Sequence, residues 1–201
     1  MNVSATLNVS RLLISPSLCL PHMMIPTFKD LPITPAFPLM PEKGIKAIVL
    51  DKDNCFAKAH DDKVWPDYQE TWDALKKQYP KASLLIVSNS AGTNDDEGHK
   101  QASELEKTTG VTVLRHSTKK PGCYKEILDY FYQNKIIETP AQVVVVGDRL
   151  FTDMLMANMM GSWAIWVKNG VVKSESMICK IERRFYDYLT SNSMSPPTPG
   201  K

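Results

Sequence analysis

The chain has 201 residues, 43% hydrophobic and 23% charged, with a formal net charge of +2. That length suits one domain with a sizeable core, and so small a charge excludes nucleic acid as a partner held by bulk electrostatics. Cys19, Cys55, Cys123 and Cys179 form no CxxC pair, which reads as reduced thiols, and no apolar run approaches the roughly 18–20 residues of a membrane span.

The first 43 residues form an apolar arm with no acid before Asp30. Pro16, Pro21, Pro26, Pro32, Pro35, Pro38 and Pro41 leave room only for short helical or extended pieces. From Gly44 the texture changes. Residues 44–50 (GIKAIVL) read as a buried strand. Pro66 opens a helix to about Tyr79, with Tyr68, Trp72 and Leu75 on one face. A second strand over 83–89 (SLLIVSN) precedes a helix from about Asp95 to Thr108, stopped at Gly110. A short strand at 111–114 (VTVL) leads to a helix opened by Pro121, and 142–148 (QVVVVGD) is a further strand. Helix then runs from Thr152 to about Met160, strand over 162–167 (SWAIWV), and helix from Ser174 to Leu189 with Ile178, Ile181, Phe185 and Tyr188 on one side. The tail, 191–201, is predicted to be disordered. Such alternation, with strands too apolar to be one-sided, predicts a parallel sheet of about five strands covered on both faces by helices, in a domain spanning 44–190.

Polar residues at the carboxyl ends of parallel strands are the candidates for chemistry, because ligands bind there. The first strand ends in DKDNC (51–55), the second in SNSAG (88–92), the third is followed by TKKPG (118–122), and the fourth ends in GDRLFTD (147–153). An anionic nucleophile is repelled by an anionic phosphate, so phosphoryl transfer needs a cation between them, such as magnesium held by hard oxygen ligands. Asp51 and Asp53 can face one ion and one phosphate, Ser88 and Asn89 can bind phosphate oxygens, Lys120 can neutralise growing charge, and Asp148 can complete the ligands. Each fragment alone has a plain reading as a capped helix or a solvated turn. Four in order, each after an apolar strand, are a much more specific signal.

These motifs resemble the haloacid dehalogenase (HAD) superfamily over about Lys46 to Asp153. The resemblance implies a Rossmannoid three-layer fold, attack by Asp51 on phosphorus to give an aspartyl-phosphate, and acid–base work by Asp53. It also implies a phosphate held by Ser88 and Lys120, Mg²⁺ bound by Asp51, Asp53 and Asp148, and Asp153 acting through water or by steadying Lys120. Cys55 stands where that pattern usually has Thr. About ten residues separate Cys55 from Pro66, and one helix and one short strand use up 92–119, so no cap domain fits. A capless site suits a substrate whose bulk stays outside, such as a protein, a nucleic acid or a lipid headgroup at a membrane surface.

Around the site, Lys52 reads as an ion-pair partner or as a contact to a second phosphate of the substrate. Lys58, His60 and Lys63 read as solvated charges or headgroup contacts. Arg149 is a candidate phosphate ligand, since its planar fork suits phosphate. In the arm, Leu12, Leu13, Ile14 and Leu18 are candidate membrane contacts. The same arm can instead pack on the domain, mediate homo-oligomer formation, or belong to a transit peptide.

The arm sequence with GIKAIVLDKDNCFA (44–57) and VVVVGDRLFTDMLMAN (143–158) is similar to the mitochondrial phosphatidylglycerophosphate (PGP) phosphatases of fungi and plants, over nearly the whole chain. The resemblance implies a phospholipid substrate, release of its terminal phosphate to give phosphatidylglycerol for cardiolipin synthesis, and peripheral attachment to the matrix side of the mitochondrial inner membrane. The rival readings are a soluble capless phosphatase and a non-catalytic membrane scaffold.

Overall fold

Six parallel strands form one sheet in the computed structural model, which describes residues 10–33 and 44–200. In chain order they are β1 (Met23–Ile25), β2 (Ala47–Leu50), β3 (Leu84–Ile86), β4 (Thr112–Val113), β5 (Val143–Gly147) and β6 (Trp163–Val167). Across the sheet the order is β1-β6-β5-β2-β3-β4. The chain runs outward from β2 through β3 to β4, then restarts at β5 on the other side of β2. The order thus reverses between β2 and β5, and a crevice opens beyond their carboxyl ends.

Alternation along each strand divides the core. Ile48 and Leu50 of β2 face one side, with Tyr68, Trp72 and Leu75 around helix α1 (Gln69–Gln78) and Ala102 and Leu105 of α2 (Lys100–Thr109). Ala47 and Val49 face the other, with Ile127 and Phe131 of α3 (Tyr124–Gln133), α4 (Leu155–Met160) and Leu189 of α5 (Met177–Ser191). All four residues of β2 and all five of β5 are buried. Burying a large aliphatic side chain contributes about 1.5–3 kcal/mol, so these two strands anchor the fold that carries the crevice.

The expected count of about five strands is corrected to six, because the arm supplies β1. Met23, Met24 and Ile25 pair with Ile165, Trp166 and Val167 of β6. A three-residue strand between Pro21 and Pro26 is too short for its periodicity to stand out, and an edge position tolerates the flanking prolines. Phe28 then inserts among Phe56, Tyr68 and Trp72, with ring centroids 5.8–6.2 Å away. Leu12 is buried in the second core and Leu18 packs half-buried against it, whereas Leu13 and Ile14 are each 88% exposed. Leu12 is therefore removed from the candidate membrane contacts: its side chain is spent on packing. The predicted boundary at 43 lies outside the described residues.

Two other expectations change. The tail beyond Asn192 has no helix or strand up to Gly200, yet it lies on the domain: His22 Nε2 is 2.8 Å from Pro197 O, and Gly200 N–H donates to Gly161 O at 2.9 Å. Pro196, Pro197 and Pro199 limit its freedom by fixing φ. The helix expected to open at Pro121 begins at Tyr124, after a turn.

Candidate active site

Asp51 follows β2 directly, and its N–H continues the ladder to Val146 O at 2.9 Å. Gly147 ends β5 beside it, so Asp148 emerges at the same edge. Lys120 arrives from the loop after β4, positioned by its own N–H, which donates to Asn89 Oδ1 at 2.7 Å. Asp153 lies in a π-helical turn (Leu150–Met154) that widens the start of α4, and its carboxylate lies back against Gly147 of β5. There a Cβ on Gly147 would sit 2.4 Å from Asp153 Cγ, so only glycine lets Asp153 approach.

The convergence is close. Lys120 Nζ donates to Asp51 Oδ1 at 2.5 Å and to Asp153 Oδ1 at 2.7 Å. Asp51, Asp148 and Asp153 each offer a carboxylate oxygen within 4.8 Å of the others. Asn54 Nδ2 donates to Asp148 Oδ2 at 3.0 Å, and Trp166 Nε1 holds the Asp148 carbonyl at 2.9 Å.

Electrostatics follow from that crowding. Burial, then repulsion from Asp153, push the Asp51 carboxyl up to about 7, against the pull of Lys120. Burial, then Asp51 and Asp153, raise Asp148 well above the carboxylate range. Burial alone would lower the Lys120 ammonium, but Asp153 and Asp51 outweigh it and raise it. Three carboxylates lie together, and Lys120 pairs with two of them. The remaining negative charge, offered by hard oxygen donors, fits a divalent cation such as Mg²⁺.

Asp53 stands apart from this trio. Lys52, wholly buried, donates to Asp53 Oδ1 at 2.7 Å and to Asp61 O at 3.0 Å. The His60 N–H donates to the same Asp53 oxygen at 2.9 Å, and Ser90 Oγ to the other at 3.3 Å. Burial would raise Asp53, but Lys52 and the His60 N–H outweigh it and hold it below its ordinary value.

A cleft of about 580 Å³ opens over these groups, lined by Asp51, Asp53, Asn89, Lys120, Asp148 and Arg149 among others. Lys58 lines it from the segment after β2, and Val172, Lys173 and Ser176 from the segment before α5. The structure therefore brings Asp51, Asp53, Lys120, Asp148, Asp153, Asn89 and Arg149 to one place. Ser88 is the exception among the phosphate candidates: its side chain is buried and its hydroxyl lies 3.0 Å from Ser90 Oγ. Arg149 reaches the cleft with its Nε already donating to Glu182 Oε2 at 2.8 Å. Leu13 and Ile14 do not line the cleft. Burial, then Asp51, push the Cys55 thiol well up, which makes it an inert neighbour.

Sequence reasoning missed Ser90 and Glu182. Ser90 was visible as the second serine of SNS. Glu182 had no local signal, because it meets Arg149 across 33 residues of chain.

A parallel α/β sheet whose carboxyl edge gathers three carboxylates, two of them bonded to one lysine, defines a protein with an acidic, cation-ready site at its topological switch point. The chain belongs to the mitochondrial PGP phosphatase family, whose profile matches residues 3–172. It is 57% identical over 189 residues to phosphatidylglycerophosphatase GEP4, mitochondrial, of Saccharomyces cerevisiae, covering 94% of this chain and 99% of the yeast protein. It is 30% identical to the probable mitochondrial phosphatidylglycerophosphatase of Schizosaccharomyces pombe, over 92% of this chain and 90% of that one. A phosphatidylglycerophosphate phosphatase 1 of Arabidopsis thaliana, named chloroplastic/mitochondrial, is 33% identical over 71% of this chain and 38% of its own length.

Proposed function

We propose that this chain is a magnesium-dependent phosphatidylglycerophosphate phosphatase with the mechanism of the HAD superfamily. The observation that carries the reading is Lys120 bonded at once to Asp51 and Asp153, with Asp148 alongside, in a chain that shares 57% of its residues with a yeast phosphatidylglycerophosphatase.

In this reading Asp51 attacks the phosphorus of the terminal monoester, and the bond from phosphorus to the lipid alkoxide breaks as the aspartyl-phosphate forms. Asp53 gives a proton to that alkoxide. Asp53 then takes a proton from water, whose oxygen attacks the same phosphorus and frees Asp51 and inorganic phosphate. Lys120, kept protonated by two carboxylates, balances charge on the phosphoryl oxygens. Asp51 and Asp148 with their side chains, and Asp53 with its backbone carbonyl, would hold Mg²⁺, which supplies electrostatic relief between nucleophile and phosphate. Asp153 keeps Lys120 in place, and Asn89 and Arg149 border the bound phosphate, with Ser88 behind them.

The short segments between strands support the capless reading: the span from β2 to α1 holds turns and a bridge (Asp53 with Ala57), and that from β3 to β4 one α-helix. Residues 44–190 would be the catalytic unit, with the arm and tail laid upon it. No helix among the described residues is long and apolar enough to cross a membrane, which is compatible with peripheral attachment at the matrix face of the mitochondrial inner membrane. Leu13, Ile14 and Leu18 remain candidate lipid contacts.

The test is phosphate release from phosphatidylglycerophosphate, phosphatidic acid and a soluble phosphate ester, each with Mg²⁺ or chelator. The reading expects preference for phosphatidylglycerophosphate and loss with chelator. Equal turnover of all three substrates would favour the soluble phosphatase, and no turnover of any the scaffold.

A further inference from the structure

We infer that the exposed face of α5, with Val172, docks the protein on an anionic lipid surface and holds the mouth of the cleft against it. This rests on the lipid phosphatase reading above.

The periodicity of α5 led to the expectation of one apolar side, Ile178, Ile181, Phe185 and Tyr188; Phe185 does pack, against Phe151 with ring centroids 5.8 Å apart, but the other three do not. Cys179, Glu182 and Leu189 are buried, and Tyr186 lies against Trp166 with ring centroids 5.0 Å apart. Glu182 is held there by Arg149 and by the Phe151 N–H, at 2.8 and 3.0 Å. Anchoring through Glu182 turns Met177, Ile178, Ile181 and Tyr188 to solvent, 77, 54, 49 and 61% exposed. At about 100° per residue, Met177, Ile181 and Tyr188 form one narrow stripe. Isolated exposed apolar residues are ordinary on a surface; a stripe along one helix is not.

Charge selects the occupant. Lys180 and Arg184 flank the stripe on the side away from the core, and both are exposed. Residues 168–188 hold five basic residues against three acids; Glu182 is buried, Glu175 is paired with Lys180 at 3.0 Å, and Asp187 is exposed. An apolar stripe bordered by cations is the pattern of a helix lying in a headgroup layer of anionic lipid. A second copy paired two-fold on this face would set that cationic flank against itself.

Position links the surface to the chemistry. Val172, 57% exposed, and Lys173, Ser174, Ser176 and Cys179 line the cleft that holds Asp51 and Lys120. Seating this rim in the headgroup layer would let a terminal phosphate reach Asp51 while its acyl chains stay in the bilayer. Leu13 and Ile14 are exposed too, but no lining residue connects them to the cleft.

The test uses the full chain and sedimentation with phosphatidylcholine vesicles, with and without phosphatidylglycerol. The variants are Met177→Asp/Ile181→Asp, Lys180→Glu/Arg184→Glu and, for comparison, Leu13→Asp/Ile14→Asp. Wild type is expected to sediment with the anionic vesicles, less so in high salt. Both α5 variants are expected to bind about tenfold or more weakly, with unchanged melting temperature and unchanged turnover of a soluble phosphate ester. Binding by the α5 variants equal to wild type, or lost only in the arm variant, overturns the inference. So does wild-type self-association that the aspartates abolish while vesicle binding persists. Turnover of phosphatidylglycerophosphate in detergent micelles separates the two readings. Failure there with intact vesicle binding removes the activity and leaves the surface; success there with variants that still bind vesicles removes the surface and leaves the activity.

Discussion

Lys52 Nζ lies 2.7 Å from Asp53 Oδ1, with the lysine side chain wholly withdrawn from solvent. The same ammonium lies 3.8 Å from Asp62 Oδ1 and donates to Asp61 O at 3.0 Å. One buried cation therefore ties the second aspartate of the DxD pair to the segment that borders the cleft. Of the two sequence readings of Lys52, ion-pair partner or contact to a second phosphate, the structure shows the ion pair, made with its own neighbour.

That relationship makes Lys52→Met informative. Removing the cation withdraws the largest influence holding Asp53 low, so the Asp53 carboxyl should rise and its base form should need higher pH. We expect the acidic limb of the pH–rate profile to move to higher pH. Loss of a charged hydrogen bond should also cost about 1.5–3 kcal/mol, read as a lower urea midpoint. A profile that does not move would mean that Asp53 does not govern that limb.

Asp51→Asn tests the nucleophile and the metal together. Phosphate release should fall by about 10³-fold or more. Because three carboxylates crowd one another, the neutral amide also relieves repulsion. With chelator the variant should melt no lower than wild type. Adding Mg²⁺ should raise the wild-type melting temperature and raise that of the variant less. Equal shifts would place the ion elsewhere.

Gly147→Ala probes the approach of Asp153. The new Cβ would lie 2.4 Å from the Asp153 carboxyl carbon, so the carboxylate must leave its place beside Lys120. We expect a loss of about 1–3 kcal/mol in thermal or urea unfolding. Turnover should fall at least about tenfold if Asp153 positions Lys120. Unchanged turnover in a folded variant would make Asp153 dispensable.

His22 gives the arm a pH dependence. Its Nδ1 accepts the Ala164 N–H at 3.0 Å and its Nε2 faces Pro197 O at 2.8 Å, so the neutral ring with Nε2 protonated satisfies both. Burial lowers its pKa below the usual 6.5, outweighing the Pro197 contact. A group with a depressed histidine pKa binds more protons unfolded than folded, so stability is fully present above about 6.5 and lost as pH falls through the folded value. Hydrogen-exchange protection factors in β1, corrected for the intrinsic rate at each pH, should fall over that acidic range, and His22→Gln should flatten the dependence. A wild-type profile that is already flat would remove His22 as the cause.

Much of this molecule was legible in its sequence because its central strands are short apolar runs with polar ends. Residues 44–50 and 142–148 could only be buried strands, and Asp51, Asp148 and Lys120 stood at or after strand ends, where parallel sheets bind ligands. What the chain order does not encode is contact across distance. Met23–Ile25 became a strand only because β6 had an open edge. Leu12 was withdrawn from the surface by packing beside Leu189, far along the chain. The outward turn of Met177 and Ile181 was decided by a buried ion pair between Arg149 and Glu182, not by the periodicity of α5. Hydrophobic pattern and motif spacing act over neighbouring residues, so they specify elements and candidate ligands. Which face is covered, and which charges meet, depends on apposition that forms only when the elements pack.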